Sequence, residues 1–147
     1  VRVTLGADGA PCNNNLSIFQ EMRLAALIQK PRLGPEVMDA ETVVRMATIE
    51  GARALGLGDL VGSVEVGKKA DVVVVRVNRV HQVPAASVYS QLVYASRASD
   101  VEAVLVGGQP LVLNGRLTNA DEREIVRRAE EQVRRVVNRA DLQVTWP

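Results

Sequence analysis

The hydrophobic period of this chain changes at Gly62, and that change constrains its fold more than any other feature. Before Gly62 apolar residues recur mainly at helical spacing; after it they fall into short runs of β type. Val1, Val3 and Leu5 alternate with polar residues and Gly6 and Gly9 follow, which predicts a short strand feeding a loop through Pro11 and the asparagines at 13–15. From Leu16, the residues Phe19, Met22 and Ala26, with Leu27 at their margin, mark a helix that Pro31, Gly34 and Pro35 close. Asp39 is placed to cap a second helix, with Glu41 near its positive end, a buried stripe of Val43, Met46, Ala47, Ala54 and Leu55, and Gly56 as its stop.

Beyond Gly62, strands are expected at 63–66, 71–77, 101–106 and 110–113, with turns at Gly67-Lys68, Gly107-Gly108 and Asn114-Gly115. Residues 87–94 are apolar enough for either strand or helix, and both remain open. A last helix is predicted to start at Asn119, with Glu122 completing a capping box. Its apolar stripe would be Ile125, Ala129, Val133, Val136, Val137 and Ala140. The mixed charges on its other face, Arg127, Arg128, Glu130, Glu131, Arg134 and Arg135, read as a solvated surface held by pairs three or four residues apart.

Composition narrows the function. A 147-residue chain that is 47% hydrophobic can fill one ordinary domain, or a small domain plus a piece of a larger one. Its 18 Lys and Arg nearly balance its 17 Asp and Glu, so no net field favours nucleic acid or an anionic membrane, and neither is an expected partner. Cys12 is alone, which excludes an internal disulfide and a cysteine-pair metal site and suits a reducing cytoplasm. The valine run at Val72–Val75 is far too short to span a bilayer. Because the first residues already read as strand, the expectation is a cut made inside a larger protein.

Few residues could carry chemistry. Asp8 comes directly after a strand, and barrel enzymes place catalytic groups at the C-terminal ends of strands. By spacing alone, Asp8-Gly9 is also an ordinary turn. Asn13 and Asn14 could orient Asp8, donate to a substrate, or satisfy loop backbone groups. His81, the single histidine, lies in the β-rich part and reads as a hydrogen-bonded loop residue. Cys12 has no histidine near it in sequence to activate it and reads as a packing or supporting residue. Gly62 to Lys69 has the glycine and lysine spacing of a phosphate loop, but Lys69 stands where a Ser or Thr should hold magnesium, and residues 71–75 read as strand where a phosphate loop must open a helix.

Three blocks, in order, resemble the amidohydrolase superfamily. The run Leu5-Gly6-Ala7-Asp8-Gly9-Ala10-Pro11-Cys12-Asn13-Asn14-Asn15-Leu16, with Phe19-Gln20-Glu21-Met22-Arg23 after it, looks like its last barrel strand and is most similar to the aminohydrolase branch. That branch includes methylthioadenosine and S-adenosylhomocysteine deaminases, guanine deaminases and triazine hydrolases. The block from Gly62 to Asp71 resembles the return into a small β-sandwich. Ser90-Gln91-Leu92-Val93-Tyr94, with Asp100-Val101-Glu102-Ala103-Val104 and Gly107, resembles the closing strands of that sandwich.

The resemblance implies an α/β fold: the last strand and terminal helices of a (β/α)8 metal-dependent hydrolase barrel over residues 1–58, a β-sandwich composite domain over 59–117, and a C-terminal helix and tail over 118–147. It implies a parent enzyme that hydrolytically deaminates an aminated heterocycle with metal-activated water, and a homo-oligomer acting on a small-molecule substrate. Asp8 would be the catalytic residue and would reach the metal site, either as a metal ligand or by holding and deprotonating the metal-bound water, with Asn13 and Asn14 toward the substrate. The divalent metal would be zinc, since hydrolysis needs a Lewis acid without redox chemistry, although iron or manganese accepts the same donors. The family's paired and spaced histidines are missing from this sequence, so the chain alone is expected to be inactive. Two alternatives stand beside this reading: a cyclic-amide hydrolase of the same superfamily, and an autonomous noncatalytic interaction domain.

Overall fold

The first helix is built as its sequence pattern requires, and the second is not. In this computed structural model, which describes residues 1–144, α1 (Ile18–Ile28) buries Phe19, Met22 and Ala26 and leaves Leu27 exposed. A further turn, α2 (Lys30–Leu33), begins with Pro31 in its first turn, where a missing N–H costs nothing, and ends at Gly34 with φ of 98°. Asp39 caps α3 (Ala40–Ala47) by accepting from Thr42 N at 2.8 Å, and this bond holds its carboxyl below the ordinary value. The predicted second helix is broken at Thr48, whose hydroxyl turns back to Val44 O at 2.7 Å. The break rotates the buried face. Ile49 and Ala52 of α4 (Ile49–Ala54) are therefore buried, and Ala54 and Leu55, expected inside, are exposed.

At Gly62 the chain passes against α4. Its φ is 94°, and a Cβ there would lie 2.6 Å from Ala52 Cβ, so only glycine fits both the backbone conformation and the space. The expected strand at 63–66 is instead a turn: Lys68 N donates to Glu65 O and Lys69 N to Leu60 O, while Val64 and Val66 are exposed. Among the described residues no strand lies beside it to pair with its backbone.

The sheet is a four-stranded antiparallel meander, β1 (Val72–Val75), β2 (Val101–Val106), β3 (Gln109–Leu113) and β4 (Arg116–Leu117), in sequential order. Val72 faces Leu105 and Val74 faces Ala103, and the predicted strand at 71–77 is trimmed to the four residues that β2 can pair. Both hairpin turns have two residues at positive φ, Gly107 with Gly108 and Asn114 with Gly115, as tight antiparallel connections demand. Among the described residues this is a single layer, with no second sheet facing it.

Between β1 and β2 the chain makes a helical insert, and the region left open by sequence is helical. Ser87 caps a short turn, α5 (Val88–Ser90), which widens over Gln91–Ala95, where Ser96 N reaches Gln91 O at 2.9 Å. Val93 is thereby driven into the core beside Phe19, Met22, Ala26, Ala40 and Val43, with Leu5, Val75 and Val101 packed around them. One apolar cluster therefore joins the parts on either side of Gly62.

Three expectations about the chain ends are corrected. Residues 1–5 form no strand, and residues 1–8 make no backbone–backbone hydrogen bond among the described residues, because no neighbouring strand is there to pair with them. Val1 and Val3 are exposed and only Leu5 touches the core. Leu5 also borders two apolar grooves, of about 670 Å³ on the side of Ile28, Leu33 and Met46 and about 560 Å³ on the side of Leu55, Val61 and Val72. At the other end α6 (Glu122–Arg139) begins at Asp121, whose carboxylate accepts from Arg123 N at 2.9 Å, while Glu122 accepts from Leu117 N. Asn119 is therefore not its cap. The stripe expected to be buried on α6 is not buried: Ile125, Val133 and Val136 are exposed, and its order rests on the cap and on pairs such as Glu124 with Arg127 at 2.7 Å and Arg128 at 2.6 Å. The last three residues of the tail, 145–147, lie outside the described residues.

Hydrogen exchange checks this distribution of order. Amides of residues 1–6 should exchange as an open chain while β2, paired on both sides, is protected, and concentrated samples should self-associate through the apolar N-terminal segment. Uniformly slow exchange over residues 1–6 in a dilute monomer would show instead that this segment finds strand partners within these 147 residues.

Candidate functional site

Asp8 stands on the loop between the N-terminal segment and α1 with φ of 58°, a left-handed conformation that Asp tolerates better than most residues. Its Oδ1 accepts from Gly9 N at 2.7 Å; its Oδ2 has no hydrogen-bond partner among the described residues, and the side chain is open to solvent. Gly9 O in turn accepts from Cys12 N at 2.9 Å and Asn13 N at 3.0 Å, closing a compact turn behind the carboxylate. Cys12 is exposed, so the packing role expected for it is not realised.

The two candidate asparagines divide. Asn13 Nδ2 donates to Glu21 Oε1 at 2.7 Å and Asn13 Oδ1 accepts from Asn15 N at 3.1 Å, so its side chain is committed to the loop and to α1. Asn14 is exposed with no partner among the described residues. Neither asparagine bonds Asp8.

His81 is remote from this loop in its bonding: its Nε2 lies 2.9 Å from Asp100 Oδ2. Asp100 belongs to a buried polar cluster with Gln82, Gln91 and Ser96, which sequence reasoning did not identify. Gln82 Nε2 donates to Arg76 O at 2.9 Å and Ser96 Oγ at 3.0 Å. Gln91 Nε2 donates to Val77 O at 2.6 Å and Gln82 O at 3.1 Å, and Ser96 Oγ donates to Gln91 O at 3.0 Å. Among the described residues no buried side-chain N or O atom is left without a partner, so this cluster is closed and offers nothing to a ligand. Burial works to raise the Asp100 carboxyl; the bonds from His81 and Arg97 N and the charges of His81 and Arg79 outweigh it and hold the group below its ordinary value. Arg23 of α1 ties the loop's helix to this cluster through Val93 O at 3.3 Å and Ser96 O at 3.0 Å.

As a metal site the loop is partial. Asp8 offers an accessible hard oxygen donor, but among the described residues no three His, Cys, Asp or Glu side chains are gathered to hold an ion, and catalytic zinc takes about three protein ligands. These residues fit one donor of such a site and not a complete one.

The amidohydrolase family model matches residues 1–111. The chain is 46% identical over 138 residues to the 5-methylthioadenosine/S-adenosylhomocysteine deaminase of Desulforudis audaxviator, covering 93% of this chain and 32% of that one. It is similar to the crystal structure of an adenosine deaminase from Xanthomonas campestris with bound zinc, with a TM-score of 0.90 and 38% identity over 94% of this chain and 32% of that one. An atrazine chlorohydrolase from Arthrobacter aurescens complexed with zinc matches with a TM-score of 0.78 and 31% identity over 89% of this chain and 29% of that one. The chain thus spans about a third of the length of the relatives it matches.

Both the buried aspartate and the partial metal site can be tested in solution. Because the Asp100 carboxyl is lowered in the folded state, its contribution to stability is complete above the unfolded value of about 4 and is lost as pH falls through the lower folded value. The stability difference between wild type and Asp100→Asn in urea melts should accordingly shrink as pH falls from about 5 to 3; a difference independent of pH over that range would refute the role given to the charge. For the metal, the 147-residue chain should keep no stoichiometric zinc after dialysis. A full equivalent retained by the monomer would mean that a complete site exists within it.

Proposed function

The chain belongs to the amidohydrolase family and to its aminohydrolase branch, and from that premise we propose that it is the C-terminal part of a metal-dependent deaminase acting on an adenosine-like aminated heterocycle. The observation that carries the proposal is the Asp8 carboxylate, held by Gly9 N on one oxygen and uncommitted on the other, in a chain so similar to deaminases. Residues 1–58 would complete a barrel, residues 59–117 would contribute one layer of a composite β domain, and residues 118–147 would form its helix and tail. The two apolar grooves beside Leu5 support the barrel assignment, since a closing strand needs a neighbour on each side.

A bound divalent metal, for which we take zinc, supplies the positive charge that lowers the pKa of water to about 7. Asp8 would be one of its ligands, with the remaining donors coming from outside these 147 residues. The reaction adds water oxygen to the ring carbon that bears the amine and breaks that carbon–nitrogen bond. Asp8 accepts the proton that water loses and returns it to the departing nitrogen, which leaves as ammonia. Gly9 N holds one Asp8 oxygen, which would leave the other free for the reacting atoms. Asn14, on the same loop and unpartnered, is the side chain we assign to the substrate; Asn13 shapes the loop. No helix among the described residues is long and apolar enough to cross a membrane. A cytoplasmic homo-oligomer acting on a small molecule completes the proposal.

In the complete enzyme, Asp8→Asn should lower the rate of ammonia release by roughly a hundred- to ten-thousandfold while much substrate binding survives, because the change keeps size but removes the proton acceptor. Steady-state kinetics checks it. A variant within about tenfold of wild type would reduce Asp8 to a turn residue.

A further inference from the structure

The carboxylate of Glu21 has no place in the proton chemistry, yet it is where the Asp8 loop meets a rigid element. The bonds run without interruption. Asp8 Oδ1 accepts from Gly9 N at 2.7 Å, Gly9 O accepts from Asn13 N at 3.0 Å, and Asn13 Nδ2 donates to Glu21 Oε1 at 2.7 Å. Glu21 lies on α1, which is fixed on one side by buried Phe19 and Met22 and on another by Arg23, whose guanidinium reaches Val93 O and Ser96 O. One other side-chain bond joins the loop to α1, from Asn15 Nδ2 to Gln20 Oε1, but it lies beyond Asn13 and on the exposed side; residues 1–8 make no backbone–backbone hydrogen bond among the described residues, so the Asp8 end of the loop is held through Asn13.

We propose that Glu21 is a positioning residue for Asp8, acting through Asn13 to reference the loop to α1, with Arg23 carrying the brace on to the buried polar cluster. The role of Asp8 that makes positioning matter rests on the function proposed above. A carboxylate that must take a proton from one atom and deliver it to another tolerates little displacement, and a shift of about 1 Å can cost a hundredfold in rate. What the brace asks of Glu21 is an acceptor oxygen at the tip of the side chain, with or without the negative charge. Glu21 also sits in the first turn of α1, where a negative charge is favoured by the helix dipole, and the two roles make opposite demands on a variant.

Glu21→Gln keeps the acceptor and removes the charge; Glu21→Ala removes both. In the full-length protein, exchange measured by mass spectrometry on peptides covering residues 8–16 should quicken about tenfold in Glu21→Ala and stay within about threefold of wild type in Glu21→Gln, with peptides of α1 unchanged in both. In the same protein, Glu21→Ala should lower kcat about ten- to hundredfold with KM within about threefold, Glu21→Gln should recover most of that loss, and Glu21→Ala should add little to Asn13→Ala. If the two Glu21 variants behave alike, or α1 exchanges faster along with the loop, the residue serves the helix and the proposal fails. The exchange arm separates the two levels: a loop loosened by Glu21→Ala in a protein without deaminase turnover would overturn the function and leave the brace, whereas normal loop exchange in an active enzyme would overturn the brace alone.

Discussion

Burial of Val43 and Val93 in one apolar cluster is the contact on which the rest of this structure depends. Val43 comes from a helix before Gly62 and Val93 from the insert between the first two strands, so their meeting unites two stretches of sequence with different hydrophobic periods. Each fully buried side chain of this size contributes about 1.5–3 kcal/mol by leaving water. Neither is accessible, and around them the same cluster draws Leu5 from the N-terminal segment and Val75 and Val101 from the sheet. The division at Gly62 is therefore one of chain geometry and not of packing, and Gly62 itself lies close against Ala52.

Placing Val93 at that point has a polar consequence. The insert must fold back against α1 and α3, which brings Gln82, Gln91, Ser96 and Asp100 together with the carbonyls of Arg76 and Val77, just after β1, in one hydrogen-bonded cluster. Each unpaired polar group buried there would cost about 1–3 kcal/mol. The wide turn at Gln91–Ala95 answers this by letting Ser96 N reach Gln91 O while the Gln91 side chain satisfies two carbonyls of the opposite segment. Arg23 then couples the polar cluster to α1. Apolar and polar contacts thus fix the same helix from two sides, which makes α1 the natural reference for the loop that precedes it.

The local parts of this arrangement are legible in the sequence, because they answer to short-range rules. Phe19, Met22 and Ala26 repeat at helical spacing, Asp39 is a standard cap, and Gly107-Gly108 and Asn114-Gly115 are hairpin turns wherever two strands flank them. The parts that depend on distant partners are not. Residues 1–5 alternate as a strand should, but alternation specifies only which faces differ, and hydrogen-bonding neighbours must be supplied by other chain segments. The stripe on α6 repeats equally well and remains exposed for the same reason. Thr48 interrupts its helix through a hydroxyl bond that spacing does not encode, and Gln82, Gln91 and Asp100 look like surface residues until the insert covers them. Asp8 stands out by its place after the first run, whereas Glu21 and Arg23 lie in view within the same block without a role, since side-chain partners 8 and 70 residues away have no signature in sequence.

Two aspartates of this chain sit in opposite environments, one that of a strut and the other that of the role proposed for Asp8. Asp100 is buried and takes hydrogen bonds from His81, Gln82 and Arg97 N on one oxygen, with Arg79 4.0 Å from the other. Its proton affinity is lowered by partners that cannot leave without unfolding the insert, so it is a poor shuttle for protons and a good strut. Asp8 has the opposite environment: one local bond, one free oxygen and open access. The proton transfer proposed for Asp8 would need that freedom, but freedom also blurs its position, and its left-handed backbone adds a local cost that the surrounding loop must sustain. The physical requirement is to restrain the loop without neutralising the carboxylate. The proposed brace from Asn13, five residues downstream, to Glu21 would meet it: a neutral amide tied to a second carboxylate holds the loop backbone and leaves the free Asp8 oxygen available.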